Sequence, residues 1–151
     1  MSKPSAIALL TVAALLGQPA KSADQEEKAI RDALMQWTTD FNEGDTEKIC
    51  DIFAKELRYD YRGYKERGFE DVCALLRKSL NDQSKRYFYS LKIKELIVSD
   101  NLAVARLVWT LKTGISSLAA DETVSEEPGM DIFRKQANGE WKIIRYIGYE
   151  N

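Results

Sequence analysis

Histidine is absent from this 151-residue chain, and cysteine and proline are scarce, with two and three copies. Without histidine there is no Ser-His-Asp or Cys-His nucleophile machinery, and a conventional zinc site loses its commonest nitrogen ligand. The two cysteines, Cys50 and Cys73, match no zinc-motif spacing. No metal and no cofactor is expected. A basic face is also missing. Lys and Arg number 22 against 24 Asp and Glu, and the two signs are interspersed, which argues against a nucleic-acid partner. No internal repeat, low-complexity tract or proline-rich linker divides the chain.

A single long apolar run is present, Ala6 to Leu16, preceded by Lys3 and followed by Gly17, Pro19 and the small residues around Ala20-Lys21-Ser22. It is shorter than the roughly 20 residues that span a bilayer, and its layout is that of a secretory signal peptide, cut after Ser22 or Ala23. Residues 1–22 are therefore read as a signal peptide and 23–151 as one domain, of a length that supports its own core. Losing Lys3 and Lys21 takes the net charge from −2 to −4. The mature chain is expected in the periplasm or secreted, with no membrane attachment. In an oxidising compartment Cys50 and Cys73 have two readings, a disulfide or two buried thiols on apolar helix faces.

From Asp24 to Glu43 the residues Ile30, Ala33, Leu34, Trp37 and Phe41 recur at helical spacing, and Gly44 stops the pattern. Asp45 or Thr46 can cap a second helix burying Ile49, Cys50, Ile52 and Phe53. "ELRYDYRGYKERG" reads as a small hairpin around Gly63, and a third helix buries Phe69, Val72, Cys73, Leu76 and Leu80. Tyr87, Tyr89, Leu91 and Ile93 then alternate with polar residues until the pattern slips at Glu95, the sign of a bulge. A turn at Asp100-Asn101 folds Leu102–Gly114 back so that Glu95 faces Arg106. The acidic stretch "ISSLAADETVSEEP" is either a hairpin end or a mobile lid. The last two strands turn at Asn138-Gly139. Three helices followed by antiparallel strands give an α+β plan.

That order, with "QWTTDFNEGDTEKICDIFAKEL" and the ending "MDIFRKQANGEWKIIRY", resembles the nuclear transport factor 2-like superfamily, most of all its SnoaL-like and ketosteroid isomerase-like branches. The resemblance implies a cone-shaped roll, three N-terminal helices packed on a curved antiparallel sheet, an apolar interior and a homodimer. Laid on the isomerase pattern, the oxyanion-hole Tyr becomes Trp37, the general-base Asp becomes Tyr61, and the oxyanion-hole Asp remains as Asp131. Trp37 donates one hydrogen bond and accepts none, and Asp60 points to the opposite face from Tyr61.

A two-residue Asn138-Gly139 turn pairs Phe133 with Ile144 and Asp131 with Tyr146. One face then carries Asp131, Phe133, Ile144 and Tyr146; the other carries Met130, Ile132, Arg134, Ile143, Arg145 and Ile147. Desolvation would keep Asp131 neutral and able to donate a hydrogen bond. The expected site is thus Asp131 and Tyr61 as the chemical groups, with Trp37, Phe133, Ile144 and Tyr146 lining it. Tyr59, Tyr64, Trp109, Trp141 and Tyr149 are read as packing residues. The expected function is binding of a small, largely apolar molecule, with weak isomerase- or dehydratase-type acid chemistry. The alternative is a non-catalytic association or accessory domain that binds another protein through its convex sheet face, where apolar residues flank Arg134 and Arg145.

Overall fold

The structure, a computed structural model, describes residues 22–115 and 118–149; the expected signal peptide lies outside them. Helix α1 (Ala23–Glu43) starts at Ser22, whose hydroxyl accepts from the Gln25 N–H while the Gln25 side chain accepts from the Ser22 N–H. This reciprocal cap satisfies two backbone donors that a helix start otherwise leaves unpaired. Gly44 ends the helix in the left-handed conformation at φ 77°, which costs glycine least. Ile30, Leu34, Trp37 and Phe41 form its buried stripe.

The expected second helix is not there. Residues 46–52 are a run of turns, begun by the Asp45 carboxylate accepting from the Glu47 and Lys48 N–H groups at 3.1 and 3.0 Å. The Ile49 carbonyl, which a helix would engage internally, instead accepts from the Trp37 indole N–H at 2.9 Å. Two α-helices rather than three therefore precede the long strands. The second, α2 (Phe69–Asn81), follows a short hairpin of β1 (Phe53–Tyr61) and β2 (Arg67–Gly68) that turns through Gly63.

Strands β3 (Lys85–Ser99), β4 (Leu102–Ile115), β5 (Leu118–Lys135) and β6 (Trp141–Gly148) complete one six-stranded sheet in the order β2-β1-β6-β5-β4-β3. The register slip at Ile93/Glu95 is present, and Glu95 pairs with Arg106 through an ion pair of 3.2 Å. β4 and β5 run together as far as Gly114 and Glu122, so residues 122–128 of the acidic stretch form a strand of the hairpin. One expectation about the sheet is corrected: β1 runs parallel to β6, so the sheet is mixed.

The register at the last turn is also corrected. Gly139 has φ 86°, its N–H bonds to Gln136 O, and Gln136 N–H bonds to Glu140 O, so the loop holds one residue more than a two-residue turn. Lys135 consequently pairs with Trp141, and Phe133 pairs with Ile143 rather than Ile144. A bulge then restores the frame, and Asp131 does pair with Tyr146.

Long strands curl around α1, which packs chiefly on β3 and β6, while α2 packs chiefly on β1 and β2. Two polar ties hold α1 in place. Glu26, 6% exposed, accepts from the Trp141 indole at 2.6 Å and from Lys135 at 2.5 Å. At the other end, the Asn42 amide donates to Tyr89 O and accepts from Tyr89 N–H, both at 2.8 Å.

Candidate functional site

Between α1, α2 and the concave side of the sheet lies a cavity of about 160 Å³. Its walls are mainly aromatic and aliphatic: Trp37 and Phe41 from α1, Val72, Leu75 and Leu76 from α2, and Trp109 from β4. The sheet side differs. There β5 presents Asp131 and Glu127, and β1, β3 and β6 present Tyr59, Tyr89 and Tyr146. A space largely apolar with a few convergent polar groups is the usual form of a small-molecule site.

Asp131 reaches this wall by strand alternation, on the same face of β5 as the core residue Phe133. It is 1% exposed, and its Oδ2 has no hydrogen-bond partner among the described residues. Burial pushes the carboxyl up to about 8 from an ordinary 3.8, desolvation being the cause. At neutral pH the group is thus mostly a neutral acid, a donor as well as an acceptor.

Tyr146, the cross-strand partner of Asp131, does not extend straight into the cavity. Gly129 and Gly148 face each other across β5 and β6, and the Tyr146 ring folds over them. A Cβ built on Gly148 would stand 2.3 Å from the Tyr146 hydroxyl, and one on Gly129 would stand 3.0 Å from it. Only the two missing side chains make room. Tyr59 stacks on this ring at 4.6 Å between centroids. Tyr89 packs edge-on against Phe41 at 4.8 Å and Trp109 at 5.7 Å. Burial is the first cause that holds all three phenols far above the ordinary tyrosine range, followed by Glu127 for Tyr59 and Tyr89 and by Tyr59 for Tyr146, so they remain O–H donors. Glu127, 9% exposed, accepts a hydrogen bond from Tyr89.

Four of the expected site residues sit differently from the expectation. Trp37 lines the cavity with its ring, but its N–H is spent on the Ile49 carbonyl. Tyr61 does not line the cavity; it lies beyond Tyr59 at 6.3 Å, beside a shallow surface depression with Tyr64 and Tyr149. Phe133 is wholly buried core behind the wall. Ile144 is buried away from the cavity, and the bulge hands its place to Ile143. Conversely, Tyr59 and Trp109, read as packing residues, line the cavity. Glu127, Gly129 and Gly148 were overlooked. Counting back by twos from Asp131 places 129 and 127 on the inward face, a signal available in the sequence.

Cys50 and Cys73 form a disulfide with Cα atoms 5.8 Å apart, tying the turn region to α2 at the cavity's edge. Among the described residues no group of three metal-ligating side chains occurs, and no helix is long and apolar enough to cross a membrane.

The fold has parallels among solved structures. The chain is similar to a conserved protein from Planctomyces limnophilus DSM 3776, at 22% identity and a TM-score of 0.74 over 85% of this chain and 98% of that one. It is also similar to a ketosteroid isomerase-like protein from Erwinia carotovora atroseptica SCRI1043, with values of 18%, 0.69, 84% and 97% in the same order. A third likeness is to a nuclear transport factor 2-like protein with a cystatin-like fold from Novosphingobium aromaticivorans, at 16%, 0.67, 83% and 81%. At such identities these likenesses establish the fold. No curated protein matches the chain. The model of the SnoaL-like domain matches residues 34–146, from the middle of α1 to the tyrosine beside Asp131, and the chain accordingly belongs to the SnoaL-like family of the nuclear transport factor 2-like superfamily.

Proposed function

We propose that the chain binds a compact, largely apolar molecule carrying an acceptor oxygen, such as a ketone or aldehyde, and that neutral Asp131 donates the hydrogen bond that fixes it. The observation that carries this reading is Asp131 Oδ2, buried at the cavity wall with no partner among the described residues. An unsatisfied buried polar atom costs roughly 1 to 3 kcal/mol, and an acceptor oxygen in the cavity would relieve it. A largely apolar space of about 160 Å³ is on the scale that holds a single ring.

Acid chemistry of the isomerase or dehydratase type follows from the same contact. A donor already in place at a carbonyl oxygen stabilises the negative charge that grows there as a base, such as water, takes the proton of a neighbouring C–H bond. Tyr61 does not take part in that step, since it does not reach the cavity. Calorimetric titration with acetophenone tests the binding. Affinity should weaken as pH rises through about 8, where Asp131 ionises, and Asp131→Asn should abolish that break. A wild-type affinity that is flat from pH 6 to 9 rules out Asp131 as the donor.

Export follows from the composition of residues 1–22. Recovery of a chain with Met1 intact from the cytoplasm would refute it. A homodimer, or association with another protein, is supported by one observation: the outer sheet face exposes Ile97, Leu102, Met130 and Ile147 beside Arg134 and Arg145. A monomer by native mass spectrometry at micromolar concentration would count against self-association.

A further inference from the structure

We infer that Glu127 is a second ligand-contacting carboxyl, and that the ligand is a two-ended flat molecule of the para-hydroxyaryl carbonyl class, its carbonyl at Asp131 and its hydroxyl at Glu127. The inference rests on the Asp131 reading above and extends it to the far end of the cavity.

Glu127 and Asp131 stand on the same strand and the same face. The ladder with β4 runs evenly from Trp109↔Glu127 to Ala105↔Asp131, with no bulge to turn either side chain away. Both residues are buried and both line the cavity. The inward position between them is Gly129, whose missing side chain leaves room for the Tyr146 phenol, and the Tyr146 hydroxyl lies over it. The polar wall is therefore a row: carboxyl, phenol, carboxyl.

Glu127 is also held in place. Tyr89 donates to it, and Tyr89 is itself fixed by the paired Asn42 bonds and by edge contacts with Phe41 and Trp109. A carboxyl group accepts more than one hydrogen bond, so a ligand hydroxyl can join Tyr89. Stability alone does not account for the pair, because replacing both partners of a buried polar contact by apolar groups of similar shape is often neutral or stabilising.

Spacing sets the ligand's length. Four residues of strand cover about 13 Å, somewhat less on a concave face. Two hydrogen bonds of roughly 2.7 Å then leave roughly 6 to 8 Å between the ligand's oxygens. One ring with para substituents spans that distance, and a single ring suits both the cavity volume and the aromatic surfaces of Trp37, Trp109 and Tyr59.

Calorimetry with two matched probes tests the inference, 4-hydroxyacetophenone and 4-methylacetophenone, which differ by a hydroxyl in place of a methyl. The wild-type chain should bind the hydroxyl probe roughly tenfold more tightly, and Glu127→Met, which removes the acceptor, should bring the ratio to within about twofold. A structural role alone would weaken both probes by the same factor and leave the ratio intact, which would overturn the inference. So would a wild-type ratio near one, a result that needs no variant to fold. If neither probe nor acetophenone binds, the Asp131 reading fails as well; if acetophenone binds and the hydroxyl adds nothing, only Glu127 is removed from the site.

Discussion

Asp131 is raised to about 8 by burial, and that shift has a consequence for stability whose sign is unusual for a carboxylate. Between 3.8 and about 8 the unfolded chain releases this proton while the folded chain keeps it. Stability therefore falls as pH rises through that window, by linkage. Urea unfolding at pH 5 and pH 8 should show wild type losing roughly 2 to 4 kcal/mol more than Asp131→Asn; equal losses would place a charged, solvated group at residue 131. Gly148 gives a second prediction at this scale. Gly148→Ala puts a Cβ into the Tyr146 phenol and should cost about 1 to 3 kcal/mol, while Tyr146→Leu in the same chain should recover part of it. Both losses would be read from thermal unfolding, and a Gly148→Ala chain as stable as wild type would disprove the close packing. Asp131 and Tyr146 were legible because strand alternation and a hairpin signal converge on them. Glu127 and Gly129 carry only the weaker signal of alternation counted back from Asp131, because the stretch that ends at Pro128 has no apolar alternation of its own, and the role of Gly148 depends on where the Tyr146 ring folds.

At the scale of elements, the last hairpin contains two departures from the simplest reading that cancel. The loop gains one residue through Gly139 at positive φ, and the bulge opposite Phe133 takes one back. Hence Asp131 meets Tyr146 as expected, while Ile143 and not Ile144 enters the cavity wall. The Asn138-Gly139 signal gives the existence of a turn; its length depends on where the strand ends must lie against α1, where Glu26 grips both Lys135 and Trp141. The lost second helix has a similar cause, since the Trp37 indole takes the Ile49 carbonyl. Helix α2 packs mainly on β1 and β2, and the disulfide ties it to the turn region. With the bridged cysteines 23 positions apart in sequence, Cys50→Ser with Cys73→Ser should lower stability by about 3 kcal/mol on a loop-entropy basis. Urea denaturation measures it, and an unchanged midpoint in oxidised samples would contradict the bridge.

At the scale of the whole molecule, a parallel contact between β1 and β6 joins the first hairpin to the four long strands. This contact brings Tyr59 onto Tyr146 and makes residues 59 and 146 part of one wall. It leaves the opposite face with exposed Ile97, Met130 and Ile147 in a setting of arginines. If that face joins two copies, Ile147→Glu should convert a dimer into a monomer while leaving the circular dichroism spectrum intact. Size-exclusion chromatography with light scattering decides it, and a mass that does not change between wild type and variant removes Ile147 from any interface.

Periodicity, capping residues and turn residues are local signals, and by themselves they determined α1, α2, the long strands, the bulge at Glu95 and the inward placement of Asp131. Each depends on neighbours a few residues away, so a linear reading suffices. Tertiary structure alone decided that β1 pairs in parallel with β6, where the Trp37 N–H is spent, that Tyr59 rather than Tyr61 reaches the cavity, and that Gly129 and Gly148 give Tyr146 its room. Those outcomes depend on contacts between segments remote in sequence, where shape and hydrogen-bond demand are settled only once the sheet has curled around α1.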